Sequence, residues 1–530
     1  MSAITLVVVG GSVIDGTGAP RRSADVAIAD GRVAAVGDLS AVDAPRLDAT
    51  GMVVAPGFVD LHGHSDLTLL SDGRARSAVA QGITTQVVGN CGIGPAPAPL
   101  DQAVAIRRAI ALIDLDPDVP WAWTTMAAYR AALSGARPAL NVATLAGHLA
   151  LRIAVAGERG GTLVTSEIAA LEAYADASLN EGAVGISTGL MYPPARSADR
   201  AELAALGRAV RRHDALFAVH MRDYGDALLP AVDEALGIAR DTGCRLQISH
   251  LAVAGRRNWG SVARALERVD ACRADGLDVG VDIYPYLAGS ANLSQLLPGW
   301  AQEGGSLAIA ERLADPAVRR RIRQQWRSTL HLGWDEIRVS LVDDELRDAV
   351  LGRTIEEAGG VLGLAPDAAA LELIARTADR VQMVAFGRSE TDLLAVLGHP
   401  SAVIGSDGLA LDPDGATGIG RPHPRSYGCY PRLLGEMVRE QGTLSLERAI
   451  AMSTSGPADR VRLADRGRIA AGAAADLVLF DADRVMDGNS FEQPACFPLG
   501  IEHVLVNGVP VIRNGIQLDT VRPGRVLSPG

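Results

Sequence analysis

Eight short apolar runs alternate with longer helical stretches through the body of this chain, and that alternation constrains its fold more than any other feature. The runs lie at 57–61, 85–89, 141–146, 183–187, 216–219, 245–249, 277–283 and 402–405. Segments such as 227–239 between them carry apolar residues at helical spacing. Strands that are apolar throughout and joined by helices belong in a parallel sheet covered on both faces. Eight such units are what a closed (β/α)8 TIM barrel requires.

The two ends of the chain have a different texture. Near the start, 26–29 and 33–36 flank Asp30-Gly31, and near the end Asn507-Gly508 turns 501–506 directly into 509–513. Both are hairpin signatures. The expected layout is therefore a β-sandwich from 1–56 and 463–530 around a barrel at 57–462. Over 100 residues separate the seventh and eighth runs, too many for a plain crossover. The excess, placed at about 285–345, reads as an insertion over the barrel mouth, with further helix at about 368–397.

The least ordinary residues sit just past the ends of these runs. His62 and His64 follow the first, Cys91 the second, His148 the third, His220 the fifth, His250 the sixth and Asp407 the eighth. Taken singly each has a plain explanation: a buried Cys acts as a small hydrophobe, a core His is satisfied by neighbours, and Asp407-Gly408 is a turn pair. Taken together they point to one place, because the C-terminal rim of a barrel gathers residues remote in sequence. A thiolate with two neutral imidazoles gives zinc three protein ligands and leaves its fourth position open to water, as in catalytic rather than structural sites. A nearby carboxylate, Asp407, then suits the task of acid and base.

Composition narrows the alternatives. A net charge of -12 with no basic cluster argues against nucleic acid or an anionic membrane as the main partner. The chain has no lysine, so Schiff-base chemistry and a carboxylated-lysine metal bridge are both excluded. Five scattered cysteines do not make a disulfide framework, which favours a reducing cytoplasm. The apolar opening at 4–9 lacks a basic leader and reads as a strand.

The segments APGFVDLHGHSD, QGITTQVVGNCG, GHLALR, GAVGISTGLMYPP, HMRDYGDALLPAVDEA, QISHLAVAGRRNWG, IGSDG and RPHPRSYG, with the tail DRGRIAAGAAADLVLFD, resemble the N-acyl-D-amino-acid deacylase (D-aminoacylase) branch of the amidohydrolase superfamily. The resemblance covers essentially the whole chain. It implies a tight Zn2+ on Cys91, His220 and His250, and a weaker second metal position among His62, His64 and Asp407, with Asp407 as acid/base. It also implies that Tyr284, Ser290 and Arg425 meet a substrate carboxylate. His148 is a further candidate, for substrate or for support of the site. The activity implied is hydrolysis of the amide bond of N-acyl-D-amino acids. The expected partner is then a small N-acyl compound, with homo-oligomer formation left open.

Two positions depart from the family pattern. Relatives commonly carry lysine where this chain has Ala252, and glutamate where it has Tyr224. Arg256 or Arg257 could supply the missing cation from the adjoining loop. These departures keep open a related enzyme acting on a cyclic amide, a natural-product amide or another C–N bond. A catalytically inactive barrel serving as a binding protein is the alternative from another class.

Overall fold

The computed structural model describes residues 3–342 and 345–530. Eight parallel strands form its central sheet: β1 (Phe58–Asp60), β2 (Ile83–Val88), β3 (Asn141–Gly147), β4 (Gly185–Gly189), β5 (Leu216–His220), β6 (Arg245–Ile248), β7 (Val279–Ile283) and β8 (Ala402–Ile404). Neighbours in the sheet follow sequence order from β1 to β8. Their runs read as apolar because both faces are covered. One cluster includes Val59, Val87, Ala143, Leu145, Leu216, Ala218 and Val403. Its members come from β1, β2, β3, β5 and β8, so it fills the barrel. The alternate residues Phe58, Val88, Val142, Ile186, Phe217 and Val219 belong to a second cluster, with the outer helices.

The barrel closes at its rim. The contacts are a parallel bridge between Gly63 and Gly408, His64 N–H to the Gly408 carbonyl at 2.8 Å and Asp407 N–H to the His62 carbonyl at 2.6 Å. The backbone that joins β1 to β8 is thus the backbone that carries His62, His64 and Asp407.

Both ends of the chain build the β layers. A seven-stranded sheet joins three early strands (Ser12–Val13, Arg22–Ser23, Val53–Pro56) to four late ones (Leu477–Phe480, Ile501–Val506, Val509–Arg513, Ile516–Gln517), with Val53–Pro56 paired antiparallel to Leu477–Phe480. A four-stranded sheet comes wholly from Leu6–Asp48. Val8, Val26, Ile28, Val54, Leu477, Leu479 and Leu505 fill the space between them. Among the described residues no single helix is long and apolar enough to cross a membrane.

The excursion between β7 and β8 has a sheet and a core of its own. Strand Val381–Phe386 lies between Ala288–Asn292 and Ile337–Val342, antiparallel to both. Ile309, Ile322, Trp326, Val339, Ile355 and Leu371 pack beside that sheet. It therefore continues past the expected limit near 345 to Phe386. The helix expected over 368–397 is two helices, Pro366–Arg376 and Glu390–Leu397, with that central strand between them.

Candidate active site

Period-two alternation along β5 explains how one ligand reaches the barrel interior. His220 shares a face with the inner-cluster residues Leu216 and Ala218, so its ring must point inward from the strand end. Cys91 arrives differently. It lies in a turn, Asn90–Gly92, at φ 55°, a left-handed conformation uncommon for a residue with a side chain. The turn rests on the end of β4. Ser187 Oγ accepts from Gly92 N–H at 2.8 Å and donates to the Gly89 carbonyl, while a Cβ on Gly189 would stand 2.1 Å from the Cys91 carbonyl oxygen. His250 and Asp407 also have positive φ, at 35° and 52°. Three such residues cost of order 1–3 kcal/mol each and must be held by their surroundings.

These side chains converge. Cys91 Sγ lies 3.2 Å from His62 Nε2 and 3.4 Å from His250 Nε2. Asp407 Oδ1 is 3.0 Å from His64 Nε2 and 3.6 Å from His62 Nε2. Two donor groups result, Cys91–His220–His250 and His62–His64–Cys91–Asp407, and within each the ligand atoms all lie within 4.8 Å of one another. Cys91 belongs to both. All six residues are buried.

The electrostatics favours a cation here. Burial disfavours a thiolate at Cys91, yet the imidazoles of His62, His250 and His220 together hold its thiol well below the usual range. Burial also works against the charged forms of His62, His64 and Asp407. For His62 it is outweighed by Cys91 and Asp282, which hold the ring well above the ordinary histidine value. For His64 it is outweighed by Asp407 and Cys91, which raise it to about 9. Arg425 first, then His64, keep the Asp407 carboxyl well below the usual carboxylate range. His220 is instead lowered by burial, which leaves a neutral imidazole, the form that ligates metal. Among the described residues neither of its ring nitrogens has a hydrogen-bond partner, although both are buried. Such an orphan is costly in a protein core unless a ligand satisfies it, and a thiolate with two imidazoles is a donor set that would suit zinc.

Two residues that shape the site, Asp282 and Tyr192, were not anticipated from sequence, and Tyr224 stood out there only as a departure from the family pattern. Asp282 on β7 accepts from His62 Nδ1 at 3.0 Å and from the backbone N–H of His250 at 2.8 Å, while Gln247 donates to its other oxygen at 3.1 Å. It fixes the His62 tautomer so that Nε2 faces Cys91. The only sequence signal is an acid near the end of the run 277–283, which also holds Asp278 near its start. Tyr192 lies over His220, with ring centroids 4.9 Å apart. Tyr224 proves to be a brace. Its hydroxyl accepts from Met221 N–H at 3.0 Å and donates to the Ser249 carbonyl at 3.3 Å, tying together the ends of β5 and β6 beside both imidazoles.

The expected substrate contacts divide. Tyr284 and Arg425 reach the cluster: Arg425 Nη1 donates to the Tyr284 hydroxyl at 2.7 Å and lies 2.7 Å from Asp407 Oδ2. Ser290 lies on the excursion sheet opposite Val384, and among the described contacts its hydroxyl bonds to none of these groups. His148, open between contact with substrate and support of the site, makes its hydrogen bonds elsewhere. It is fully buried, and its nitrogens are committed to Thr188 at 2.7 Å and Glu202 at 2.8 Å. Glu202 also pairs with the buried Arg152. His148 ends its strand as the ligands do, but it opens helix His148–Ala156 and is held among outer helices.

A family model described as "Amidohydrolase family" matches residues 47–512. The chain belongs to the amidohydrolase family. Among curated amidohydrolase relatives, N-acyl-D-glutamate deacylase of Alcaligenes xylosoxydans xylosoxydans is 41% identical over 99% of this chain and 96% of its own. D-aminoacylase of the same organism is 35% identical over 96% and 94%. The crystal structure of N-acyl-D-glutamate deacylase from Bordetella bronchiseptica, in complex with zinc and a phosphonate mimic of the tetrahedral intermediate, superposes with a TM-score of 0.83. It is 36% identical, over 99% of this chain and 100% of that one.

Proposed function

We propose that this amidohydrolase hydrolyses the amide bond of N-acyl-D-amino acids, releasing a carboxylic acid and a free D-amino acid. The observation that carries the reading is the convergence of a low-pKa Cys91 with His220, whose buried nitrogens are free, and His250. Those three residues would hold a tight zinc. His62, His64 and Asp407, sharing Cys91, form a weaker second position. Bound zinc would lower the pKa of a water and polarise the acyl carbonyl.

The rest is done by the chain itself. Asp407 is held ionised by Arg425 and so can take the proton of the attacking water and pass it to the departing nitrogen. Asp282 and Tyr224 keep His62, His220 and His250 in place. Tyr284 and Arg425 present a hydroxyl and a guanidinium to the substrate carboxylate. A free thiol ligand suits a reducing compartment, and the cytoplasm is the proposed location.

Release of free amine from N-acetyl-D- and N-acetyl-L-amino acids, assayed beside cyclic amides, tests the reading. Turnover of the D series by zinc-loaded enzyme, abolished by chelation, is the expected result. Ring opening of the cyclic amides with the D series untouched would overturn it.

A further inference from the structure

The site contains a cation that nothing above has used. Arg388 follows the central strand of the excursion, and its guanidinium carbon sits 4.7 Å from the centre of the Tyr284 ring. That is the same distance as for Arg425. Its Nη1 is buried without a hydrogen-bond partner, and among the described residues no carboxylate pairs with it. Several other buried or half-buried arginines in this chain are paired with a carboxylate, as Arg152 is with Glu202, Arg466 with Asp476 and Arg432 with Asp487, whereas Arg130 and Arg448 bond to carbonyls and hydroxyls. An unpaired guanidinium stacked on Tyr284 carries a desolvation cost that a bound anion would offset.

Its position relative to Ala252 gives that anion an identity. The two arginines of the loop after Ala252 are already engaged: Arg256 binds Glu336, and Arg257 binds Asp226 and His331. The same loop is fastened to the residue before Arg388, with Gly255 N–H and Trp259 Nε1 both donating to the Gly387 carbonyl at 3.0 Å. A Cβ placed on Gly289 would stand 3.2 Å from Arg388 Nη2 and 3.9 Å from the Tyr284 hydroxyl, so the guanidinium packs against bare backbone there.

We infer that Arg388 anchors the α-carboxylate of the substrate, supplying from the excursion the positive charge that Ala252 does not supply from the barrel. The inference rests on the proposed N-acyl-amino-acid hydrolysis. The planar fork of Arg388 suits a carboxylate, and its stacking on Tyr284 holds the fork in place.

The test compares wild type, Arg388→Met and Arg388→Lys, all zinc-loaded, on N-acetyl-D-glutamate, its γ-amide and its α-amide. Zinc content and thermal unfolding verify that each variant is folded. Arg388→Met should raise KM about 10-fold to 100-fold for the two substrates with a free α-carboxylate, with kcat within a few-fold, and should leave the α-amide unchanged. Arg388→Lys should recover part of the loss, which a purely structural role would not predict. Equal losses on all three substrates, unchanged KM, or a loss that follows the γ-carboxylate would overturn the assignment. Wild type inactive on all three would instead refute the reading on which the inference rests. In that case, competitive protection of the apparent melting temperature by acetyl-D-glutamate over its α-amide, lost in Arg388→Met, decides the anchor separately.

Discussion

At the scale of single residues, the site divides into groups that meet the reacting atoms and groups that aim them. Asp407 belongs to the first kind. Asp407→Asn keeps its shape but cannot accept a proton, so kcat is expected to fall by about 10²–10⁴ while zinc stays bound. Elemental analysis beside a rate measurement checks both halves, and near-normal turnover would remove Asp407 from the mechanism. The six donor residues could be picked out in the sequence because each follows an apolar run. His148 follows one too, and strand-end position could not distinguish it from the ligands, since its partner Glu202 lies 54 residues away. Asp282 was missed for the converse reason. It lies within its run, where an acid reads as an interruption, and only its contact 220 residues back to His62 reveals its use.

At the scale of elements, backbone contacts decide whether the ligands can meet. The turn that presents Cys91 needs the bare surface of Gly189, because a side chain there would overlap the Cys91 carbonyl. Gly189→Ala should therefore displace the turn and lower the zinc retained after dialysis, with the fold intact by circular dichroism. Unchanged zinc content would show that the turn adapts. Behind the same strand, helix Arg200–Arg212 is pinned to helix His148–Ala156 by Glu202. Burial works against ionising Glu202, but His148 and Arg152 outweigh it and lower its pKa. A depressed carboxyl contributes stability that is present above the unfolded value, about 4.3, and lost as pH falls through the folded one. The wild type should thus lose melting temperature below about pH 4.3. Glu202→Gln should start lower at pH 7, with Arg152 left unpaired, and lose less on acidification; parallel pH profiles would refute the role. All eight barrel strands could be read from sequence because their runs are buried on both faces. Strand Val381–Phe386 could not, since its pattern is set by a small sheet paired across the excursion, between helices whose spacing masks it.

At the scale of the whole molecule, the seam between β1 and β8 and the metal site occupy the same backbone. A bridge at Gly63 and Gly408 and two flanking hydrogen bonds close the barrel there, and the second donor group draws His62 and His64 from one side and Asp407 from the other. A bound ion would fasten that seam. Chelation should lower the apparent melting temperature and raise amide exchange at 62–64 and 405–408 before it does so at β4 or β5. Uniform exchange across the barrel would refute this. The excursion stands apart from that coupling, with its own sheet and core, yet it delivers Arg388 to the wall of the site. If Arg388 anchors substrate, substrate choice is shared between the excursion and the barrel residues Tyr284 and Arg425, while every metal donor lies on the barrel. Exchanging the excursion between relatives would then change what meets Tyr284 while leaving the metal donors where they are.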